Sequence, residues 1–277
     1  MVKEQAYYKE GYVKEIADTH AWRNVSNCAE HLIPLIKPDF KILDVGSGPG
    51  TITIDFGNYV PEGHVTGVEP TIELIERSRQ TLKEIEESTG KKITNVTFEE
   101  GSIYKLPFED NSFDLIHAHQ VVVHLEDPIA ALKELRRVTK VGGFVCVKDG
   151  DLKSTVVYPE KFAEVLGRFA VSKAKNSTST DIIAGRSLRA KAIKAGYKPE
   201  LIKSSASIWC LADKNTKELW SRGMKARLAK SKEKLVVDDD EADKAKRAEA
   251  ENAWNEFVED DNGFLTMQNG QIVYTKE

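Results

Sequence analysis

Cysteine is nearly absent. The three that occur, Cys28, Cys146 and Cys210, are widely spaced and odd in number, which supports neither a disulfide framework nor a zinc knuckle and reads as reduced core thiols with no metal site. Long apolar runs are missing too. No window of eighteen apolar residues occurs, and the first thirty residues are charged and Tyr-rich without an apolar h-region. Neither end shows a mitochondrial presequence pattern or a membrane-binding amphipathic one. These absences point to a reducing, soluble, cytoplasmic setting without a membrane partner. Basic excess is also lacking: 40 Lys+Arg stand against 44 Asp+Glu, a net charge of −4, so no nucleic-acid partner is expected. No internal repeat and no long linker interrupts the 277 residues, which suffice for one large α/β domain.

What the chain does have is organised around Lys41-Ile42-Leu43-Asp44-Val45-Gly46-Ser47-Gly48-Pro49-Gly50. An apolar run ends on an acid, breaks into three glycines within five residues, and resumes as a helical pattern. This reads as a buried strand meeting a tight turn that opens a helix, with bare main chain for a ligand to lie against. In open α/β sheets a nucleotide-like cofactor sits at that position.

The pattern then alternates. Residues 26–37 show helical spacing closed by Pro38, and 40–45 form the first strand. Thr51–Tyr59 reads as a helix, His64–Glu69 as a strand ending in an acid, and the segment from Pro70 to about Thr89 as a helix stopped by Gly90. Strands follow at 95–99 and 113–118. Asp127-Pro128 gives a capped helix start, and Gly142-Gly143 turn the chain into a fifth strand at 144–148. Strands alternating with helices predict right-handed crossovers and a parallel sheet. Beyond it come an amphipathic helix from Pro159 to Ala174, a shorter helix ending at Gly196, and a sixth strand at 201–211. Residues 213–260 are Lys/Glu/Ala-rich and helical, broken at Asp238-Asp239-Asp240, and 264–274 around Asn269-Gly270 read as a last strand or hairpin. As organisation, this is a single domain: an arm and helix over 1–37, a sheet core over 38–211, a helical cap over 212–262 and a last strand over 263–277.

A glycine turn alone does not name a cofactor. Thr51 stands where the dinucleotide fingerprint needs its third glycine, no tyrosine has a lysine four residues on, and no Gly-Lys-Ser/Thr follows the turn. Four blocks together are more specific. Leu43 to Gly50, Gly67-Val68-Glu69, Leu106 to Asp114 (LPFEDNSFD) and Val122 to Pro128 (VVHLEDP) resemble the motifs of class I S-adenosylmethionine-dependent methyltransferases of the ubiquinone/menaquinone-biosynthesis type. The resemblance spans Lys41 to about Gly143. It implies a Rossmann-like α/β fold with a seven-stranded sheet whose last strand inserts antiparallel between strands five and six, and S-adenosylmethionine as cofactor.

Carried onto this chain, the resemblance assigns Gly46, Ser47 and Gly48 to the methionyl and ribose part, and Asp44 to the place beneath the turn, where it serves the cofactor's amino group or only ties the loop. Glu69, beside Pro70, takes the ribose hydroxyls with its two acceptor oxygens. Gly101, Ser102 and Ile103 flank the adenine, although the family often has Asp at the Ser102 position. Ala118 and His119 end strand four beside the methionyl group, and His117 points into the sheet layers. Arg23 is a candidate partner for the methionine carboxylate.

Methyl transfer needs an acceptor in line with the sulfonium methyl, a dry pocket and a lost proton. His119 and His124 are the candidate bases, each with packing or capping as the alternative role. The acceptor should be gripped by Tyr12, His20 and Trp22 of the arm and by Trp220 and Met224 of the cap, an aromatic lid suited to a small, largely hydrophobic molecule. The His20-Ala21-Trp22-Arg23 arm and long C-terminal insertion resemble fungal small-molecule methyltransferases, some of them S-methylating dithiols of the gliotoxin type in secondary metabolism. S- or O-methylation is therefore favoured, with quinone-ring C-methylation and a non-catalytic cofactor-binding protein as alternatives. Oligomeric state is not readable.

Overall fold

The computed structural model describes residues 13–167, 181–231 and 234–277. Strands β1 (Lys41–Val45), β2 (His64–Glu69), β3 (Val96–Glu100), β4 (Phe113–His119) and β5 (Thr139–Gly150) pair in the order β3-β2-β1-β4-β5, all parallel. Their side chains alternate between two apolar layers. Ile42, Leu115 and Cys146 face one layer, while Leu43, Val45, Ile116, Ala118, Val145 and Val147 face the other. Burial on both faces explains why these strands read as continuous apolar runs.

Helices α1 (Lys14–Ala21), α2 (Thr51–Phe56), α3 (Ile72–Thr89) and α4 (Pro128–Val138) precede or cross between these strands. Ile52, Ile54, Phe56 and Ile75 of α2 and α3 join the first layer; Leu132 and Leu135 of α4 join the second. Asp127 caps α4 by accepting from the Ala130 N–H at 2.9 Å, ahead of Pro128 at the first helical position. Each leucine fully buried here contributes roughly 1.5–3 kcal/mol.

The second half completes the sheet. A three-residue strand, β6 (Val156–Tyr158), is followed by α5 (Ala184–Lys194), β7 (Ile202–Leu211), α6 (Lys214–Lys230), α7 (Asp240–Glu259) and β8 (Phe264–Thr275). β8 lies antiparallel between β5 and β7, and its first residues pair with β6. The expected insertion of the last strand is present, with β6 as an eighth strand that residue pattern did not announce. β8 runs straight through Asn269-Gly270, so the hairpin alternative is set aside: each half finds its partners in β7, β5 and β6 rather than in the other half.

Other expectations are corrected. Residues 26–37 are not one α-helix but a π-turn (Val25–Ala29) running into a 3-10 segment (Glu30–Leu35), because Pro34 inside it has no N–H for the ladder. The helix after the turn ends at Phe56, not Tyr59. β5 begins at Thr139, with Gly142 at φ 79° in a register shift against β4. The helix expected over 159–174 starts as Glu160–Phe162 and continues as a π-turn to Gly167; its remainder lies outside the described residues. Cys210 is exposed on β7 and so is not a core thiol. The acidic break in the cap is a helix start, with Asp239 accepting from the Ala242 N–H.

The arm and cap meet over the sheet's carboxyl ends. α1 packs on α6 so closely that a Cβ on Gly223 would sit 2.3 Å from Thr19 Cγ2. Arg227 of α6 reaches back across that contact to Thr19 Oγ1 at 3.0 Å. Among the described residues no helix is long and apolar enough to cross a membrane.

Candidate active site

The glycine turn leaves β1 in left-handed backbone: φ is 73° at Gly46, 53° at Gly48 and 82° at Gly50. Gly46 and Ser47 N–H groups bond to the Val68 carbonyl at 2.8 and 3.1 Å, which ties the turn to β2. A Cβ on Gly46 would stand 2.4 Å from Val121 Cγ2, whereas one on Gly48 would meet nothing within 4 Å. Gly48 thus presents bare main chain to open space. That space is a cleft between the turn, the ends of β2 and β4, and the arm, enclosing about 1080 Å³ counting its solvent-facing mouth.

Glu69 closes the β2 side. It is 8% exposed, and its Oε2 accepts from the Gly48 N–H at 3.2 Å. Burial is the chief influence on its carboxyl, pushing the pKa up to about 7 against the lowering by the Gly48 and Thr71 hydrogen bonds. Ser47 Oγ, also on the wall, is buried with no partner among the described residues.

Beneath the turn, Asp44 lines the cavity but its oxygens are engaged within the protein. Oδ1 accepts from His117 Nδ1 at 2.7 Å and Oδ2 from Thr53 Oγ1 at 2.6 Å. The parallel register of β1 and β4 sets Asp44 opposite His117. His119, two residues on and therefore on the same face, stacks over His117 with ring centres 6.1 Å apart and 14° between planes. It is 6% exposed, and neither ring nitrogen has a hydrogen-bond partner among the described residues.

The chain turns sharply after β4. Gln120 adopts φ 58°, held by its N–H to the Lys148 carbonyl at 2.8 Å and by Nε2 to Asn269 Oδ1 at 2.7 Å. This strained residue folds Val121, His124 and Leu125 over the cleft. The arm supplies the opposite wall through His20 and Arg23, whose guanidinium lies 5.3 Å from the Trp209 ring centre. Burial holds His20 and His119 well below the usual imidazole range and brings His124 to about 4, with Arg23 adding to the effect at each. All three imidazoles are neutral at pH 7.

The cavity therefore brings together Arg23, Asp44, Gly46, Ser47, Gly48, Glu69, Pro70, Gly101, Ile103, His119, His20 and His124 of the residues singled out from sequence. Others do not line it. Ser102 turns its hydroxyl to the Tyr104 N–H at 3.2 Å, and Ala118 packs in the apolar layer on the far face. Trp220 is buried in the core behind His119, and the partly buried Trp22 and Met224 pack against it, Trp22 meeting Trp209 and Trp220 edge-on at 5.8 and 6.5 Å. They back the wall instead of facing the cleft, where the indole rings gain from packing edge-on against one another. Tyr12 lies outside the described residues. Residue reasoning did not single out Thr71, Tyr104, Gln120, Val121 and Leu125, which also line the cleft. The VVHLEDP block contained one signal, an apolar run directly after a strand end.

The chain is similar to known proteins over most of its length. A family model described as a methyltransferase domain matches residues 36–219. An uncharacterized methyltransferase of Schizosaccharomyces pombe is 48% identical over 275 residues, covering 99% of this chain and 98% of its own length. The ubiquinone/menaquinone biosynthesis C-methyltransferase of Bdellovibrio bacteriovorus is 34% identical over 107 residues, 39% of this chain and 43% of that protein. Among solved structures, the YcgJ protein of Bacillus subtilis superposes with a TM-score of 0.55 at 18% identity, covering 90% of this chain and 97% of that one, which speaks to the fold alone.

Proposed function

The chain belongs to the class I S-adenosylmethionine-dependent methyltransferases, and on that footing we propose that it methylates a small, largely hydrophobic metabolite at sulfur or oxygen. The observation that carries this reading is the polarity of the cleft: the Glu69 carboxylate on the β2 side, Arg23 on the arm side, and open main chain at Gly48 between them. A ligand with a hydroxyl pair at one end and a carboxylate at the other fits that arrangement. When bound, S-adenosylmethionine supplies an electrophilic sulfonium methyl.

The chain's own residues do the rest. Glu69, once ionised, accepts from the ribose hydroxyls with both oxygens. Arg23 holds the carboxylate, and the buried Ser47 hydroxyl gains a partner. Gly101 and Ile103 provide a flat, partly apolar shelf for the adenine. Asp44 works at one remove: through His117 and Thr53 it fixes the floor on which the turn and His119 rest. In this reading His119 and His124, neutral and among the residues that line the cleft, are the groups that take the acceptor's proton. His20 and Arg23 of the arm wall the cleft off from water, which strengthens each of these contacts.

Quinol-ring C-methylation is the second reading, favoured by the local similarity to the ubiquinone/menaquinone enzyme. Calorimetry with S-adenosylmethionine, then formation of S-adenosylhomocysteine with thiols, phenols and quinols, separates the readings. Turnover with thiols or phenols is expected. Turnover confined to quinols would transfer the assignment to carbon, and binding without turnover on any acceptor would make the protein a non-catalytic binder.

A further inference from the structure

Resting on that reading, we infer that Gln120 selects the acceptor: its side-chain oxygen receives a hydrogen bond from a hydroxyl or N–H that the acceptor carries in addition to the atom that is methylated.

Gln120 stands out first by its backbone. Its φ of 58° lies in a region that residues other than Gly, Asn and Asp seldom adopt. Strain of this kind persists where the surroundings impose it, and it gathers at ligand sites. The Gln120 N–H bonds to the Lys148 carbonyl at 2.8 Å, which carries the β4–β5 ladder one residue past the end of β4. The side chain then crosses β5 to reach β8. Gly150 leaves room for that crossing: a Cβ there would lie 3.3 Å from both Nε2 and Oε1 of Gln120.

The far end of the side chain is locked. Gln120 Nε2 donates to Asn269 Oδ1 at 2.7 Å. Asn269 is fully buried, and its Nδ2 faces the Met267 carbonyl at 3.4 Å. An oxygen on that side would oppose the carbonyl, so Oδ1 is left for Gln120, which answers with its NH2. The two heavy atoms of an amide diverge from one carbon, and the lock therefore turns Oε1 away from Asn269. Among the described residues Oε1 has no hydrogen-bond partner, and it is not sealed by its neighbours as the ring nitrogens of His119 are. Gln120 is half-buried on the cleft wall.

Its place in the sheet assigns this oxygen to the acceptor. Glu69 ends β2 and Gly150 ends β5, with β1 and β4 between them. At about 4.8 Å per strand they stand roughly 14 Å apart. With the ribose at Glu69 and the methionyl part over the turn after β1, the β5 side of the cleft is left to the acceptor.

The chemistry of an amide oxygen decides what it reads. It accepts hydrogen bonds and takes no proton. A bond from the nucleophile's own S–H or O–H would favour the neutral form and oppose attack. A second donor keeps its proton throughout, so its bond orients the acceptor toward the methyl without that cost. An acceptor with an ether or carbonyl at this place sets oxygen lone pairs against each other and leaves Oε1 unpaired.

The test uses full-length protein with 2-, 3- and 4-mercaptophenol, each compared with its methoxythiophenol, which keeps the oxygen and lacks the donor. Calorimetry in the presence of S-adenosylhomocysteine gives the affinities, and S-adenosylhomocysteine formation from S-adenosylmethionine gives kcat/KM. At least one mercaptophenol should bind about tenfold more tightly than its methoxy partner, with a similar factor in kcat/KM. Gln120→Met, of similar length without the oxygen, should bring that ratio to about one. Asn269→Leu, which releases Nε2, should bring it below about threefold; circular dichroism checks that both variants are folded. Ratios near one for all three pairs, a full preference kept in either folded variant, or no binding of any probe at millimolar concentration would overturn the inference. Preferential binding of a mercaptophenol without turnover of any probe strikes the methyl-transfer reading instead and supports this one.

Discussion

Replacing Glu69 by Gln should make the protein more stable and a worse binder of its cofactor, two effects of opposite sign from one atom change. The carboxyl is buried, and its pKa is raised from 4.5 to about 7, mainly by burial. A raised folded value means that the folded protein binds this proton more tightly than the unfolded chain does. Its contribution to stability is then present at low pH, declines as pH rises from about 4.5 to about 7, and is absent above. At about 1.4 kcal/mol per unit, ionised Glu69 destabilises the ligand-free fold by roughly 3 kcal/mol at pH 8. Gln keeps the acceptor for the Gly48 N–H without that charge, so the variant should gain up to about 3 kcal/mol at pH 8 and nothing near pH 4.5.

The same change removes a charge-assisted partner for the ribose hydroxyls, and S-adenosylhomocysteine should bind at least about tenfold more weakly, some 1.4 kcal/mol. In the wild type, affinity should climb as pH approaches about 7 and then level off, with proton release on binding, because the hydroxyls favour the ionised carboxylate. Urea denaturation and calorimetry across pH 5 to 8 measure both quantities. A Gln variant that loses stability at pH 8, or that binds the ligand as well as the wild type, would refute the reasoning.

The turn glycines should separate packing from binding. Gly46→Ala drives a Cβ into Val121 and holds a left-handed φ, so it should cost about 2 kcal/mol of stability in urea; Gly48→Ala meets open space and should cost only about 1 kcal/mol while still blocking the ligand in calorimetry. Asp44→Ala strands two buried donors, His117 Nδ1 and Thr53 Oγ1, and should destabilise by about 2–4 kcal/mol, against about 1 kcal/mol for Thr53→Val, both read from urea midpoints. Asp149 is fully buried with Oδ1 accepting from the Val123 N–H at 3.1 Å, Oδ2 without a partner among the described residues, and a pKa raised to about 7 by burial. Its stabilising contribution is likewise lost as pH rises towards about 7, so Asp149→Asn should raise the melting temperature at pH 8 and leave it unchanged near pH 4.

The parts of the site legible in sequence are those whose chemistry is local. Gly46, Gly48 and Gly50 announce left-handed backbone by themselves, and Glu69 ends an apolar strand where a carboxylate has no packing reason to be. Asp127-Pro128 announces a helix start in the same way. The Asp44–His117 pair is different: its partners are 73 residues apart, and only the β1–β4 register brings them to 2.7 Å. The tryptophans show a second limit. Aromatics on an arm and a cap read equally well as lid or as core, and the choice depends on Trp209 of β7 being there to receive Trp22 and Trp220. Gln120 shows a third, since nothing in its residue type signals a left-handed turn that β5 and β8 impose through Lys148 and Asn269.

The central claim is that one cleft, floored by the glycine turn and flanked by Glu69 and Arg23, holds the methyl donor with its acceptor end under His119. A crystal structure of the protein with S-adenosylhomocysteine tests it most directly. The ribose hydroxyls should lie within hydrogen-bond distance of Glu69, the carboxylate should meet Arg23, and the sulfur should face the three imidazoles. A ligand bound with its adenosyl group away from Glu69, or on another surface of the molecule, would contradict it.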